Sequence, residues 1–179
     1  SYNLSALRTA FGYVPQEVFL FSDTVANNIS FGLKEEKVEE EIIIQAAKDA
    51  DIYENILDFS KGFETEIGEK GITLSGGQKQ RLSIARAIIK SPPYMIFDDC
   101  LSAVDTKTEE KILANLARIM KGKTAVLIGH RISTLKDADT ILLFDSGKLI
   151  EEGNHSSLLE NGKFYSELYQ KQLIEGADN

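Results

Sequence analysis

The chain has 179 residues, a formal net charge of −8 and a single cysteine. That length supports one domain with a real core, or one domain with a small appended subdomain, and leaves two full domains out of reach. The acidic balance excludes a basic stripe able to displace counterions from nucleic acid, lone Cys100 excludes an internal disulfide and fits a reducing compartment, and no apolar run approaches the roughly 18 to 20 residues of a membrane span.

In chain order, residues 10–14 predict a short strand that Pro15 ends in a loop. Residues 35–50 have helical spacing, 52–59 predict a second short helix, and Gly62 and Gly68 bracket a loop. Ser75 and two glycines then open the amphipathic run Gln80 to Lys90. From Tyr94 the pattern alternates strand, helix, strand, helix, strand over 94–97, 106–120, 124–129, 131–136 and 139–144. Such alternation predicts an α/β fold with a parallel sheet and helices on both faces. Asp145-Ser146-Gly147 is a turn signal, so 148–150 is expected to return as the second strand of an antiparallel hairpin; residues 156–173 suit one or two closing helices. No internal repeat or low-complexity linker interrupts the series.

Two stretches carry chemistry. Leu74-Ser75-Gly76-Gly77-Gln78 can present bare backbone N–H groups and the positive end of a helix dipole to an anion, for which phosphate is the natural ligand. Twenty residues on, the largely apolar Tyr94-Met95-Ile96-Phe97 runs into Asp98-Asp99. A strand that delivers carboxylates at its exposed end can hold Mg²⁺ beside a nucleotide and place a base near attacking water. Gln16, just after Tyr13-Val14-Pro15, is in isolation a solvent-exposed loop amide, yet its oxygen could ligate Mg²⁺ or orient a water. His130 follows the apolar strand Ala125 to Gly129, at the end where open α/β sheets bind ligands, and its imidazole could donate to a phosphate oxygen. Ser75 and Asp105 both read as helix N-caps. Cys100 reads as a small buried thiol and His155 as a turn or helix-start residue.

Taken together, these motifs resemble the nucleotide-binding domains of ATP-binding-cassette (ABC) transporters of the exporter type. Leu74 to Gln78 is similar to the signature motif, Tyr94 to Asp99 to Walker B, Gln16 to the Q-loop glutamine, Ser102-Ala103-Val104-Asp105 to the D-loop and His130 to the switch histidine. Thr65 to Gly71 resembles the exporter X-loop, and the likeness runs from Tyr2 to about Leu173. It implies a P-loop NTPase-like core with an inserted α-helical signature subdomain over approximately 22–91. It also implies ATP and Mg²⁺ as ligands, with hydrolysis coupled to transport. Asp98 and Gln16 would serve the metal; Asp99, His130 and Gln16 would serve catalysis; Ser75, Gly76, Gly77 and Gln78 would bind the γ-phosphate of ATP held by a second nucleotide-binding domain, head to tail. The remaining partner implied is a transmembrane domain, placing the domain at the cytoplasmic face of a membrane, with no nucleic acid.

The chain departs from the family at two points. Gly-x-x-x-x-Gly-Lys-Ser/Thr occurs nowhere, so residues 1–179 are expected to be the C-terminal portion of one such domain, truncated before the phosphate loop, and to bind ATP weakly or not at all alone. Most active members carry Glu where this chain has Asp99. Asp draws the carboxylate back by about 1.5 Å, and an error of about 1 Å can cost on the order of 100-fold in rate. Asp99 is similar to the degenerate half of heterodimeric exporters, so a regulatory half stands as the alternative; homodimer and heterodimer stay open. A soluble ABC ATPase of the DNA-maintenance kind is disfavoured, because Gln16 and Leu74 are too close for a coiled-coil insertion.

Overall fold

The computed structural model describes residues 3–33, 38–68 and 71–177. Two compact units divide at the end of the third strand, Ser1–Ile128 and Gly129–Asn179.

In the first unit, α1 (Leu4–Ala10) leads into β1 (Phe11–Val14), and then come α2 (Val25–Ser30), α3 (Glu40–Asp49), α4 (Tyr53–Leu57) and a 3₁₀ turn over Gly62–Glu64. The long helix α5 (Gly76–Ile88), β2 (Tyr94–Asp98), α6 (Thr106–Ile119) and β3 (Thr124–Ile128) complete it. The three strands form a parallel sheet in the order β1-β2-β3, with Phe11 opposite Tyr94 and Tyr94 opposite Thr124. This register aligns the C-terminal ends of β1 and β2, from which Gln16 and the aspartates follow.

Helix α5 packs on β1 and against α2 and α3. Leu82, Ile84 and Ile88 are buried on it, and a side chain of that size stabilises by about 1.5–3 kcal/mol when taken from water. Close approach to the strand depends on Gly12, where a Cβ would lie 2.9 Å from the Pro92 ring and 3.2 Å from the Ala87 carbonyl oxygen. The segments before α2 and after the 3₁₀ turn are laced together: Val25 N–H donates to the Thr65 carbonyl and Ile67 N–H to that of Asp23, each at 3.0 Å. Thus the described part of the X-loop-like stretch borders the segment that follows Gln16; its Glu69 and Lys70 lie outside the described residues.

The second unit contains α7 (Ile132–Leu135), β4 (Ile141–Asp145), β5 (Lys148–Gly153), α8 (His155–Glu160) and α9 (Phe164–Ala177). Ile132, Ile141, Leu158 and Tyr165 form its core. His155 Nδ1 lies 2.7 Å from the Tyr165 hydroxyl, a structural contact inside this unit.

Three expectations need correction. The strand expected over 139–144 does not extend the parallel sheet: it is β4, which forms a separate two-stranded sheet with β5, antiparallel as the Asp145-Ser146-Gly147 turn signal predicts, with Ser146 and Gly147 both at positive φ (48° and 75°). The helix expected over 35–50 is seen from Glu40, residues 35–37 being outside the described set. Helices α1 and α2 were not expected. Helix α1 has no buried residue and is marked by its Asn3 cap, while α2 is six residues long with only Val25, Asn28 and Ile29 buried, too short to establish a period.

Candidate functional site

The N-terminal end of α5 is built by a reciprocal cap. Gln78 N–H donates to Ser75 Oγ at 3.3 Å, and Ser75 N–H donates to Gln78 Oε1 at 2.9 Å. Gln78, a signature residue, is therefore also the return half of a capping box. The first backbone bond into the helix is from Lys79 N–H to the Ser75 carbonyl. The N–H groups of Gly76 and Gly77 precede that bond, as helix-opening donors do.

Opposite them runs the segment 102–105. A Cβ on Gly77 would lie 2.9 Å from the Ala103 carbonyl oxygen, so glycine is what lets the two backbones meet. Between them opens a cleft of about 350 Å³ lined by Ser75, Gly76, Gly77, Arg81, Val104 and Asp105, with Ala103. Arg81 brings positive charge to it, anchored by bonds to the Gly77 and Asp51 carbonyls. Burial pulls its guanidinium below the ordinary value, while Asp51 and Asp105 act in the opposite direction. Asp105 caps α6 through Thr108 N–H, at 3.1 Å, and that bond holds its carboxyl below the usual range.

Asp98 and Asp99 end the central strand, half-buried. Tyr13 donates its hydroxyl to Asp98 Oδ2 and Gln16 donates Nε2 to Asp99 Oδ2, each at 3.1 Å. The Tyr13 phenol is pushed up, first by that hydrogen bond to Asp98 and then by desolvation and charge. Asp99 takes φ 43°, in the left-handed region that aspartate tolerates better than most residues. Beneath it Cys100 is buried, its thiol pushed up to about 12 by desolvation. Structure thus brings Gln16, Asp98 and Asp99 together at one end of the sheet.

Among the described residues no group of three or more His, Cys, Asp or Glu is arranged as a metal cage. One or two carboxylates with an amide is nevertheless the donor set that suits Mg²⁺, which keeps waters and takes its other ligands from phosphate. The chain's own residues fit that ion, and the paired glycine N–H groups over an open cleft fit a phosphate.

His130 belongs to the second unit and is exposed. Its carbonyl accepts from Gln172 Nε2 at 2.7 Å, and Gln172 Oε1 accepts from Ile132 N–H at 2.8 Å, so one α9 side chain fixes the turn that carries the imidazole.

Sequence reasoning missed Tyr13, Gln80, Arg81, Arg86 and Gln172. Gln80 alone left a trace, an amide on the apolar stripe of α5.

The residues after Gln16 are also anchored. Buried Asn28 accepts from Phe21 N–H at 2.9 Å and from Arg86 Nη2 at 2.7 Å, and Arg86 Nη1 donates to the Phe19 carbonyl at 2.8 Å. The guanidinium lies 5.3 Å from the Phe21 ring centre and 5.9 Å from that of Phe31.

Comparison with known proteins places this arrangement. The ABC transporter family profile matches residues 2–102. An uncharacterized ABC transporter ATP-binding protein, YknU of Bacillus subtilis, is 46% identical over 96% of this chain and 29% of its own length. An ATM1-type heavy metal exporter of Novosphingobium aromaticivorans is 42% identical over 97% of this chain and 28% of its own. An ATP-dependent lipid A-core flippase of Shewanella is 45% identical over 96% and 28%. Among solved structures, a bacterial Atm1-family ABC exporter with ATP bound superposes with a TM-score of 0.87 at 42% identity, covering 94% of this chain and 30% of that one. The chain therefore spans under a third of the relatives it matches, and with its signature helix, its strand-end carboxylates and its parallel sheet it belongs to the ABC transporter family.

Proposed function

We propose that residues 1–179 are the signature-bearing, C-terminal portion of one nucleotide-binding domain of an ABC exporter. The domain turns ATP and water into ADP and phosphate and couples that reaction to transport through membrane helices elsewhere in its parent protein. What carries this reading is the α5 terminus: two glycines and Arg81 line an open cleft together with the D-loop residues Ala103, Val104 and Asp105.

In this reading Ser75 to Gln78 cradle the γ-phosphate of ATP held by a second nucleotide-binding domain, head to tail, while Asp98 and Gln16 face the metal of the chain's own nucleotide. Bound Mg²⁺ supplies neutralisation of charge on the phosphate oxygens. Asp99 accepts the proton of the attacking water, and Gln16, already hydrogen-bonded to it, holds its carboxylate in place. His130, on a turn fixed by Gln172, donates to a phosphate oxygen or orients that water. Residues of approximately 22–91 act as the helical signature subdomain, and the Q-loop-like stretch 16–22 and the X-loop-like stretch 65–71 serve contact with a transmembrane domain at the cytoplasmic side.

One observation favours a second reading, in which this half closes on ATP without turning it over. Asp99 is a methylene shorter than the family's glutamate, and its carboxylate is engaged by Gln16. ATP turnover by the longer parent chain, purified as the sole nucleotide-binding chain and carrying a phosphate loop, separates the two. Turnover rising cooperatively with protein concentration supports Asp99 as a working base. Binding without turnover, relieved by Asp99→Glu, supports the regulatory half. Failure to bind ATP overturns the proposal itself.

A further inference from the structure

We infer that Gln80 is a positioning residue that ties the phosphate-facing end of α5 to the backbone of Asp99 through the D-loop. The inference rests on the reading above for its catalytic consequence, but not for the geometry that motivates it.

Helix α5 buries Leu82, Ser83, Ile84, Ala85, Ala87 and Ile88, and on the same buried surface lies Gln80, only 6% exposed. A long amide there is costly unless both its ends are hydrogen-bonded. Both ends are used on one segment. Gln80 Oε1 accepts from Ala103 N–H at 3.1 Å, and Gln80 Nε2 donates to Ser102 Oγ at 3.4 Å. Ser102 Oγ in turn donates to the Asp99 carbonyl at 2.9 Å. The chain of contacts runs from α5 through Ser102 to the residue that would act as base.

Packing fixes the same point from the other side. Ala103 is the residue whose carbonyl oxygen closes on Gly77, leaving no room for a Cβ. Its N–H is held by Gln80 and its C=O is seated on the signature turn, so Ala103 is located relative to α5 along two directions. Asp99 needs such support, because its left-handed backbone conformation (φ 43°) is sparsely populated unless its surroundings hold it. A small movement of α5 is therefore transmitted to the Asp99 peptide without passing through bound nucleotide. Since the signature end of α5 would sense ATP held by the other domain, Gln80 couples the partner's occupancy to the geometry of this chain's own base.

The test uses the longer parent protein with Gln80→Leu, Gln80→Glu and Ser102→Ala. Gln80→Leu is expected to lower kcat at least tenfold while ATP affinity stays within about twofold, since no group that touches nucleotide has been removed. Gln80→Glu keeps the acceptor for Ala103 N–H and loses the donor to Ser102, so it should recover part of the rate. Adding Ser102→Ala to it should cost little more, because the two changes break one link. Amide exchange at Ala103 reads the link whether or not ATP is hydrolysed, and Gln80→Leu should accelerate it about tenfold or more. Unchanged Ala103 protection, or a kcat within twofold of the parent despite lost protection, would overturn the inference. Loss of ATP binding by the parent protein itself would instead sink the functional reading, leaving the exchange result to decide whether Gln80 holds the loop.

Discussion

The signature corner and the carboxylate corner sit on the same compact unit and are built in opposite ways. At the signature, Ser75 and Gln78 satisfy each other, Gly77 lies against a backbone oxygen, and Gln80 is buried with both ends used. Among the carboxylates, Asp98 and Asp99 each receive one side-chain bond of 3.1 Å from residues that are themselves exposed, Tyr13 and Gln16. Exposed hydrogen bonds compete with water and contribute little to holding a geometry. The Ser75–Gln78 cap bonds are exposed as well, so what makes the signature half the more rigid is the Gly77 contact and the buried Gln80 amide, while the carboxylate half is free to adjust on binding.

The largest expected effect is on the rigid half. Gly77→Ala would place a Cβ 2.9 Å from the Ala103 carbonyl oxygen, and backbone cannot swing aside as a flexible side chain can. Overpacking of this kind costs about 1–3 kcal/mol, and the better helix propensity of alanine returns up to about 1 kcal/mol. Thermal unfolding should therefore shift modestly. ATP turnover by the longer parent chain should fall by about 100-fold, since a shift of about 1 Å at such a site suffices for that loss. Near-normal turnover would show that the signature is not held as tightly as its contacts imply.

The looseness of the carboxylate corner is local, because the chain on either side of Gln16 is fixed. Val14 is fully buried before it, and the Asn28–Arg86 pair grips Phe19 and Phe21 after it. Asn28→Ala strips partners from Phe21 N–H and from the half-buried guanidinium at once. With about 1–3 kcal/mol for each group left unsatisfied, destabilisation of about 2–4 kcal/mol is expected in chemical denaturation. A loss below about 1 kcal/mol would mean that water replaces the amide and that the loop is held by its aromatic contacts alone.

Cys100 tests the floor under Asp99. Its thiol titrates at about 12 when folded against an ordinary 9.0, so between those values the unfolded chain has lost the proton and the folded chain has kept it. Stability from this group is present below pH 9 and is lost as pH rises toward 12, by about 1 kcal/mol per pH unit. The slope of unfolding free energy against pH in that window should be shallower in Cys100→Ala by this amount. An identical slope in the two proteins would place the thiol in contact with water.

How much of this was legible in the sequence follows from the range of the contacts. Caps are local, so Ser75 and Asp105 were readable within three residues of what they bind. β2 and β3 were readable because an apolar run between turn signals leaves few alternatives. The β4–β5 hairpin was readable from its Asp145-Ser146-Gly147 turn, but element order also placed β4 in the parallel sheet, whereas it lies in a separate two-stranded one. The hydroxyl of Tyr13 meets Asp98 across 85 positions and the amide of Gln80 meets Ser102 across 22. No periodicity encodes those partners. Only the oddity of an amide on an apolar stripe pointed to the second, and nothing pointed to the first.

A smaller effect, Ser75→Ala, removes the side-chain half of the capping box and should cost about 1 kcal/mol in thermal unfolding. Gln78 Oε1 still accepts from the backbone N–H at position 75, so the helix start should survive. The smallest and most discriminating change is Tyr13→Phe. It deletes one exposed hydrogen bond to Asp98 and leaves the ring, which stands on the same sheet face as Ile96 and Val126, to pack as before. Stability should not move measurably. If the metal-facing half adjusts on binding, Asp98 must already be free to leave Tyr13, and the Mg²⁺ concentration for half-maximal turnover in the longer chain should change by no more than a few-fold. A rise of tenfold or more would mean that the phenol pre-sets the carboxylate, and that this corner is held as firmly as the signature turn.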